Sequence, residues 1–163
     1  MPELAEVDYF RKQWNPGLGK RIVSVVTHPW TRLFRGTSVV DIVKLLSGSR
    51  LVTSETHGKQ MLFRSNNDGW LGIHLGMTGE LQFSTDPEFD DRYAHLVLQL
   101  EEGRLVFNDP RQFGRVRFEV NKEAPDWWAQ LPLQVLDKGF NLAYLEPLLN
   151  RRKGTRLKPF LLM

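Results

Sequence analysis

The sequence predicts a mainly β protein with flanking helices, in which about eight strands form an antiparallel β-sandwich or a flattened barrel, and we take the sandwich as the prediction. Short stretches rich in Val, Leu and Phe, separated by turn residues, run from about residue 49 to residue 120. Two helical patterns precede these stretches and another follows them. This order predicts a sandwich with an N-terminal helix, followed by the start of a helical domain.

The first element is predicted to be a helix over residues 3–14. Its apolar side chains recur at the spacing of one helix face, at Leu4, Val7, Phe10 and Trp14. The sequence Asn-Pro-Gly at 15–17 predicts where this helix ends.

A strand and a second helix are predicted next. KRIVSVVTH (20–28) is rich in β-branched residues, which favour a strand. TSVVDIVKLLSG (37–48) predicts a helix, with Ser38 and Asp41 at capping-box spacing and Gly48 near its end.

Seven further strands complete the predicted sandwich. Turn residues separate several of them, at 66–69, 86–91 and 101–103. In chain order the strands are SRLVTSET, KQMLFRS, WLGIHL, ELQFS, YAHLVLQL, RLVFN and GRVRFEV.

The predicted domain organisation follows from where the strand pattern stops. Residues 1–121 are predicted to form the sandwich domain, and residues 122–139 a linker or short helix containing two adjacent tryptophans. Residues 140–163 are predicted to begin a helical region, with Asn141 as the N-cap. The apolar ending Phe-Leu-Leu-Met suggests a chain that is cut inside an element.

Composition excludes several classes of protein. The 163 residues contain no cysteine, which excludes disulfides and thiolate metal sites within them. No apolar run approaches the ~20 residues that span a bilayer, and no leader pattern is present, so a cytoplasmic protein is expected. The net charge of +3 is a weak sign of a polyanionic partner. The basic stretch at 150–158 fits either a phosphate contact or a solvated helix end.

The N-terminal sequence MPE has two interpretations. Pro and Glu both favour the first turn of a helix, which is a purely structural role. Alternatively, removal of Met1 would leave Pro2 with a secondary α-amine, and α-amines have a reference pKa of about 8. Such an amine attacks carbonyl-like carbons to form Schiff bases, and Glu3 beside it could transfer protons.

Five segments, in order along the chain, resemble the motifs of one family, the formamidopyrimidine-DNA glycosylase and endonuclease VIII family. The resemblance is greatest to the bacterial formamidopyrimidine type. The segments are MPELAEV (1–7), HGKQMLF (57–63), IHLGMTGEL (73–81), NDPRQFGRV (108–116) and LKPFLLM (157–163). The last resembles the start of a motif in the family's helix-two-turn-helix domain.

The resemblance implies an enzyme of base-excision repair. Members of the family remove oxidised purines, such as 8-oxoguanine and formamidopyrimidines, from damaged double-stranded DNA and then cleave the backbone by β,δ-elimination. Pro2 would attack the sugar C1′ carbon, Glu3 would transfer protons, and Glu6 would support the site. Lys59 would hold a phosphate beside the lesion, although a lone lysine on a strand is more commonly only solvated.

The resemblance also implies a DNA-binding surface. Met77, Arg111 and Phe113 match the residues that fill the gap left by the extruded base. Core packing is the alternative for Met77 and Phe113, but neighbouring glycines favour exposed loop tips. His74 matches a position near the DNA backbone, with a purely structural role as the alternative. Arg35 and Lys158 are further candidate phosphate contacts.

The chain also departs from the family pattern. Ala5 replaces a usual proline, and Gln112 replaces an arginine, which removes one positive charge. Most members carry a four-cysteine zinc finger, whose ligands are absent from these residues, so no metal or other cofactor is expected. A monomer is expected. Two alternatives stay open: a weakly active or inactive DNA-binding remnant of such an enzyme, and a β-sandwich unrelated to DNA.

Overall fold

The computed structural model describes residues 2–86, 92–154 and 156. It contains eight strands: β1 (Ile22–Thr27), β2 (Leu51–His57), β3 (Gln60–Ser65), β4 (Gly69–His74), β5 (Glu80–Ser84), β6 (Ala94–Leu100), β7 (Arg104–Asn108) and β8 (Arg115–Val120). The helices are α1 (Leu4–Gln13), α2 (Val39–Leu46), the short α3 (Asp126–Ala129) and α4 (Leu142–Arg151), and a 3-10 turn spans Asn15–Gly17. Most of the turn predicted at 86–91 lies outside the described residues.

The strands form two four-stranded antiparallel sheets, in the orders β1-β6-β7-β5 and β2-β3-β4-β8. The predicted eight-stranded sandwich with an N-terminal helix is therefore confirmed. Trp14, Phe63 and Phe107 are fully buried between the sheets. The indole N–H of Trp14 donates to the backbone oxygen of Val106 at 3.2 Å, which satisfies its one polar atom.

Helix α1 contacts β2 and β3 of one sheet and β5 of the other. The side chain of Arg11 donates to Ser54 Oγ at 2.6 Å, and the N–H of Gly19 donates to the oxygen of Leu51. Helix α1 and strand β2 therefore run in opposite directions, so the N-terminal end of α1 lies beside the C-terminal end of β2. From Arg11 to Leu4 the helix covers about 10 Å, and from Ser54 to His57 the strand covers about 10 Å. Pro2 and Lys59 each lie two residues beyond these points. Pro2 and Lys59 consequently lie at the same end of the sandwich.

Local capping chemistry matches the sequence prediction for both longer helices after α1. Ser38 Oγ accepts from the N–H of Asp41 at 3.2 Å at the start of α2. Asn141 Oδ1 accepts from the N–H of Tyr144 at 3.1 Å at the start of α4. The predicted N-caps Ser38 and Asn141 are therefore confirmed.

The chain divides into two compact units, one ending at Pro125 and the other beginning at Asp126. The predicted domain limits at 121 and 139 stay predictions. Among residues 2–86, 92–154 and 156, no helix has both the length and the apolar character needed to cross a bilayer.

Candidate functional site

Four connections leave the sandwich at one end. They are the β1–α2 loop (28–38), the β2–β3 turn (58–59), the β4–β5 loop (75–79) and the β7–β8 loop (109–114). Strand register explains this arrangement. His74 lies opposite both Gln60 and Arg115, and in the other sheet Asn108 lies opposite both Glu80 and Ala94. The structure thus brings Pro2, Lys59, His74, Met77, Arg111 and Phe113 to the same end.

At the start of α1, a carboxylate fixes the first turn. The N–H of Glu3 donates to Glu6 Oε2 at 2.8 Å. This bond satisfies a backbone donor that the helix itself leaves unpaired, and it places negative charge at the positive end of the helix. Pro2 is half-buried, whereas Glu3 and Glu6 are exposed. The backbone at Pro2 and Glu3 is therefore held in one orientation, and the two residues are accessible to a ligand.

Lys59 does not lie on a strand, and that part of the prediction is wrong. His57 pairs with Gln60, so Gly58 and Lys59 form a two-residue hairpin turn. Gly58 has φ +56°, as the first position of the favoured hairpin turns requires. The turn places the half-buried Lys59 at the end of the sheet. That position suits a cation that meets a phosphate.

His74 ends β4 and is half-buried. Its Nδ1 accepts a hydrogen bond from the N–H of Gly76 at 3.1 Å. Burial lowers the pKa of His74 from 6.5, and the positive charges of Lys59 and Arg117 lower it further. A neutral ring that accepts at Nδ1 carries its proton on Nε2, which is then a hydrogen-bond donor. His74 can therefore donate to an anionic oxygen without carrying a charge.

Stability is expected to fall as the pH drops below about 6.5. His74 and His95 both have a folded-state pKa below the ordinary value of 6.5, chiefly because they are buried. Each group therefore stabilises the fold fully above pH 6.5 and loses that contribution as the pH falls toward its folded pKa. The maximum slope is about 1.4 kcal/mol per pH unit for each group. Urea unfolding from pH 7.5 to 5 measures this loss. His74→Asn, which keeps an acceptor for Gly76, is expected to reduce the slope, and an unchanged slope would contradict the assignment.

Met77 and Phe113 are both exposed, at 45% and 50%, so neither is a core residue. Their two loops pack backbone against backbone. A Cβ added to Gly76 would lie 2.4 Å from the carbonyl carbon of Phe113 and 2.6 Å from the nitrogen of Gly114. The guanidinium of Arg111 lies over the Phe113 ring at 4.8 Å. Two apolar side chains and one cation are thus presented together.

Asp109 links these two loops, and the sequence reasoning missed it. This residue is fully buried. Its Oδ1 accepts from Thr78 Oγ1 at 2.7 Å and from the N–H of Arg111 at 3.3 Å. Its Oδ2 accepts from the N–H of Gly114 at 2.7 Å. One carboxylate therefore orients the loop that carries Met77 and the loop that carries Arg111 and Phe113.

Substituting Gly76 by alanine is expected to destabilise the sandwich by about 2 kcal/mol or more. Gly76 has φ +66°, and an added Cβ would collide with backbone atoms of the neighbouring loop. Gly58→Ala is the matched control, because its φ is +56° but no atom lies within 4 Å of the added Cβ. The control is expected to cost about 1 kcal/mol. Equal urea midpoints for the two variants would show that the loops do not pack closely.

Gln112, which stands where the family pattern has an arginine, has a structural role that the sequence did not reveal. The residue has φ +54°, and its Oε1 accepts from the N–H of Arg32 at 3.0 Å. It therefore ties the β7–β8 loop to the β1–α2 loop. Arg35 is exposed, and its Nε donates to the oxygen of Arg32. Lys158 lies outside the described residues.

The described residues show no group of three or more histidine, aspartate or glutamate side chains arranged to hold a metal ion. With no cysteine in the sequence, these residues do not fit the zinc finger that the resemblance associates with the family.

Comparison with known proteins agrees with this fold. The family model described as "Formamidopyrimidine-DNA glycosylase N-terminal domain" matches residues 1–116. Formamidopyrimidine-DNA glycosylase of Desulfitobacterium hafniense is 31% identical over 98% of this chain and 56% of its own length. The same enzyme of a Roseiflexus species is 34% identical over 99% of this chain and 60% of its own length.

Solved structures of formamidopyrimidine-DNA glycosylases also resemble this chain. The Lactococcus lactis enzyme, in a complex with DNA containing N7-benzyl-Fapy-dG, aligns with a TM-score of 0.67 and 27% identity. The alignment covers 73% of this chain and 44% of the solved chain.

The fold, and the family match over residues 1–116, are those of a DNA glycosylase N-terminal domain. The chain belongs to the formamidopyrimidine-DNA glycosylase family. It spans 56% and 60% of the length of the two relatives described above.

Proposed function

We propose that this chain acts in base-excision repair, on damaged double-stranded DNA, as a bifunctional glycosylase and AP lyase for oxidised purines. The observation that carries the proposal is the gathering of Pro2, Lys59 and the two linked loops at one end of the sandwich, within the family match over residues 1–116. Such a substrate would be found in the bacterial cytoplasm, where we expect the protein to act.

The first proposed step uses the amine of Pro2, freed by removal of Met1. Its nitrogen forms a bond to the sugar C1′ carbon, while the bond from C1′ to the damaged base breaks and the base leaves with a proton. That proton comes from the Pro2 nitrogen. Glu3 then donates a proton to the ring oxygen as the sugar opens, which leaves a cationic Schiff base, an iminium ion without an N–H, because proline is a secondary amine. Removal of a C2′ proton then expels the 3′ phosphate, and a second elimination expels the 5′ phosphate.

The remaining residues hold the DNA in this proposal. Lys59 pairs with a phosphate beside the lesion, and the neutral His74 donates from Nε2 to a backbone oxygen. Met77 and Phe113 enter the stack when the damaged base is extruded, because apolar wedges replace lost stacking. Arg111 hydrogen-bonds the orphaned opposite base. Its contact with the Phe113 ring, at 4.8 Å, supports a joint insertion.

Borohydride trapping tests the proposal. The protein is mixed with a duplex that carries an abasic site or 8-oxoguanine opposite cytosine, borohydride is added, and the products are separated by denaturing electrophoresis. A covalent protein–DNA band with both duplexes is expected, because borohydride reduces a Schiff base to a stable amine.

Three outcomes separate the candidate functions. Bands with both duplexes support the complete proposal. A band with the abasic duplex alone would restrict this chain to AP lyase chemistry and assign base recognition to residues outside it. No band from protein that mass spectrometry shows to begin at Pro2 would contradict the enzymatic proposal and favour a DNA-binding remnant.

A further inference from the structure

We propose that the β1–α2 loop, residues 28–38, is a second DNA-binding element, in which Trp30 packs against the duplex beside the lesion. This inference rests on the proposed function and adds to it a contact residue outside the matched motifs. Trp30 is 82% exposed, although the indole is a large apolar group. The other four tryptophans of the chain are buried or half-buried.

The loop is fixed on both sides of Trp30. Before Trp30, the N–H of His28 donates to the backbone oxygen of His95 at 3.2 Å. Leu33 is fully buried and Phe34 is 7% exposed. The backbone oxygen of Leu33 accepts from the N–H of Val116 at 2.8 Å, and the hydroxyl of Thr37 donates to the oxygen of Val116 at 3.1 Å. These bonds dock the loop onto β8.

The loop's charge fits a polyanion. Between residues 28 and 40 the sequence contains Arg32 and Arg35 but no acidic residue. Both arginines are exposed. An exposed aromatic ring close in sequence to cations is a combination that nucleic acid surfaces use, since the cations meet phosphates and the ring stacks on bases or sugars. A protein partner would not require this charge.

The loop is also continuous with the proposed DNA surface. Gln112 Oε1 accepts from the N–H of Arg32 at 3.0 Å, and Gln112 lies between Arg111 and Phe113. A duplex that receives Phe113 therefore passes next to residues 28–38. This adjacency places Trp30 against the DNA that flanks the gap.

Intrinsic fluorescence tests this inference directly, because Trp30 is the one strongly exposed tryptophan. The protein is titrated with a duplex that carries a tetrahydrofuran abasic analogue, which the enzyme cannot cleave. Tryptophan emission is recorded alongside the anisotropy of a dye on the DNA. Emission is expected to change with the same midpoint as the anisotropy, and Trp30→Phe is expected to remove most of that change.

An affinity comparison supplies the second measurement. Trp30→Ala is expected to weaken binding about fivefold or more, the lower end of what one stacked base contributes. Val120→Ala is the matched control, because Val120 is a 53% exposed apolar residue at the opposite end of β8 from Arg115. Its affinity is expected to equal that of the wild type. Circular dichroism verifies that each variant is folded.

The outcomes distinguish this inference from the function on which it rests. Normal anisotropy binding with the same emission change in wild type and Trp30→Phe would overturn the Trp30 contact and leave the proposed function standing. The same conclusion follows if Trp30→Ala and Val120→Ala bind equally well. No anisotropy change with wild-type protein that begins at Pro2 would overturn both the inference and the DNA-binding proposal.

Discussion

Protein that keeps Met1 is expected to form no borohydride-trapped adduct with abasic DNA, whereas protein that begins at Pro2 is expected to form one. With Met1 present, the nitrogen of Pro2 belongs to an amide, and its lone pair is delocalised into the carbonyl. After removal of Met1 the nitrogen is an α-amine with a reference pKa of about 8, so part of it is neutral at pH 7. The loss of the band is therefore expected to be complete.

Mass spectrometry of the intact protein establishes which N-terminus each sample carries. A band from protein that keeps Met1 would contradict the assignment and transfer the nucleophilic role to another amine, either the α-amine of Met1 or Lys59. Loss of that band in Lys59→Met would assign the reaction to Lys59, and its persistence would assign the reaction to the α-amine of Met1. If Pro2 is the nucleophile, Pro2→Gly is expected to retain a weaker band, because glycine supplies a primary amine without the orienting ring.

The two carboxylates of α1 provide a matched pair within the same assay. Glu3→Gln removes the proposed proton donor and is expected to slow trapping by about 100-fold or more. Glu6→Gln is expected to slow it by about tenfold or less. The amide oxygen of glutamine can still accept the Glu3 N–H that now bonds Glu6 Oε2 at 2.8 Å. Equal rates for the two variants would remove the special role proposed for Glu3.

Local chemistry explains why most elements could be predicted from the sequence. The strands alternate with turn residues, and the N-caps Ser38 and Asn141 bond backbone groups only three residues away. The exposure of Met77 and Phe113 also followed from their glycine neighbours. Each of these inferences uses information contained within a few residues of the chain.

Strand β3 was predicted correctly, but the prediction wrongly included Lys59 in it. The segment KQMLFRS has the composition of a strand, which led to Lys59 being included. The preceding Gly58 carried the missing signal, because glycine at the first position of a two-residue turn permits a positive φ. The turn places Lys59 at the end of the sheet, next to the loops of the candidate site, and this matters more for function than the extent of the strand.

Long-range contacts at the candidate site could not be read from the sequence. Asp109 meets Thr78 across 31 residues of chain, and Gln112 meets the N–H of Arg32 across 80. From the sequence alone, Asp109 is only one of many acidic residues, and Gln112 is only the replacement of a positively charged arginine of the family pattern. Their roles depend on which loops the two sheets bring together, which is a property of the tertiary fold.

Asp109→Ala is expected to destabilise the sandwich by about 3 kcal/mol or more and to release both loops. The substitution removes the acceptor of three hydrogen bonds, from Thr78, Arg111 and Gly114. The N–H of Gly114 is buried and the other two donors are partly buried. A buried donor left unpaired costs about 1–3 kcal/mol. Urea unfolding measures the loss of stability. Tryptic cleavage after the exposed Arg111 measures the release of its loop and is expected to accelerate.

Thr78→Val is the matched control for this effect, because it removes only the hydroxyl that bonds Asp109 and keeps the side-chain shape. It is expected to cost about 1 kcal/mol and to leave cleavage after Arg111 close to the wild-type rate. Asp109→Asn is expected to fall between the two, since its amide nitrogen cannot accept. Unchanged cleavage in Asp109→Ala would mean that the close packing of Gly76 against Phe113 and Gly114, rather than the carboxylate, holds the two loops together.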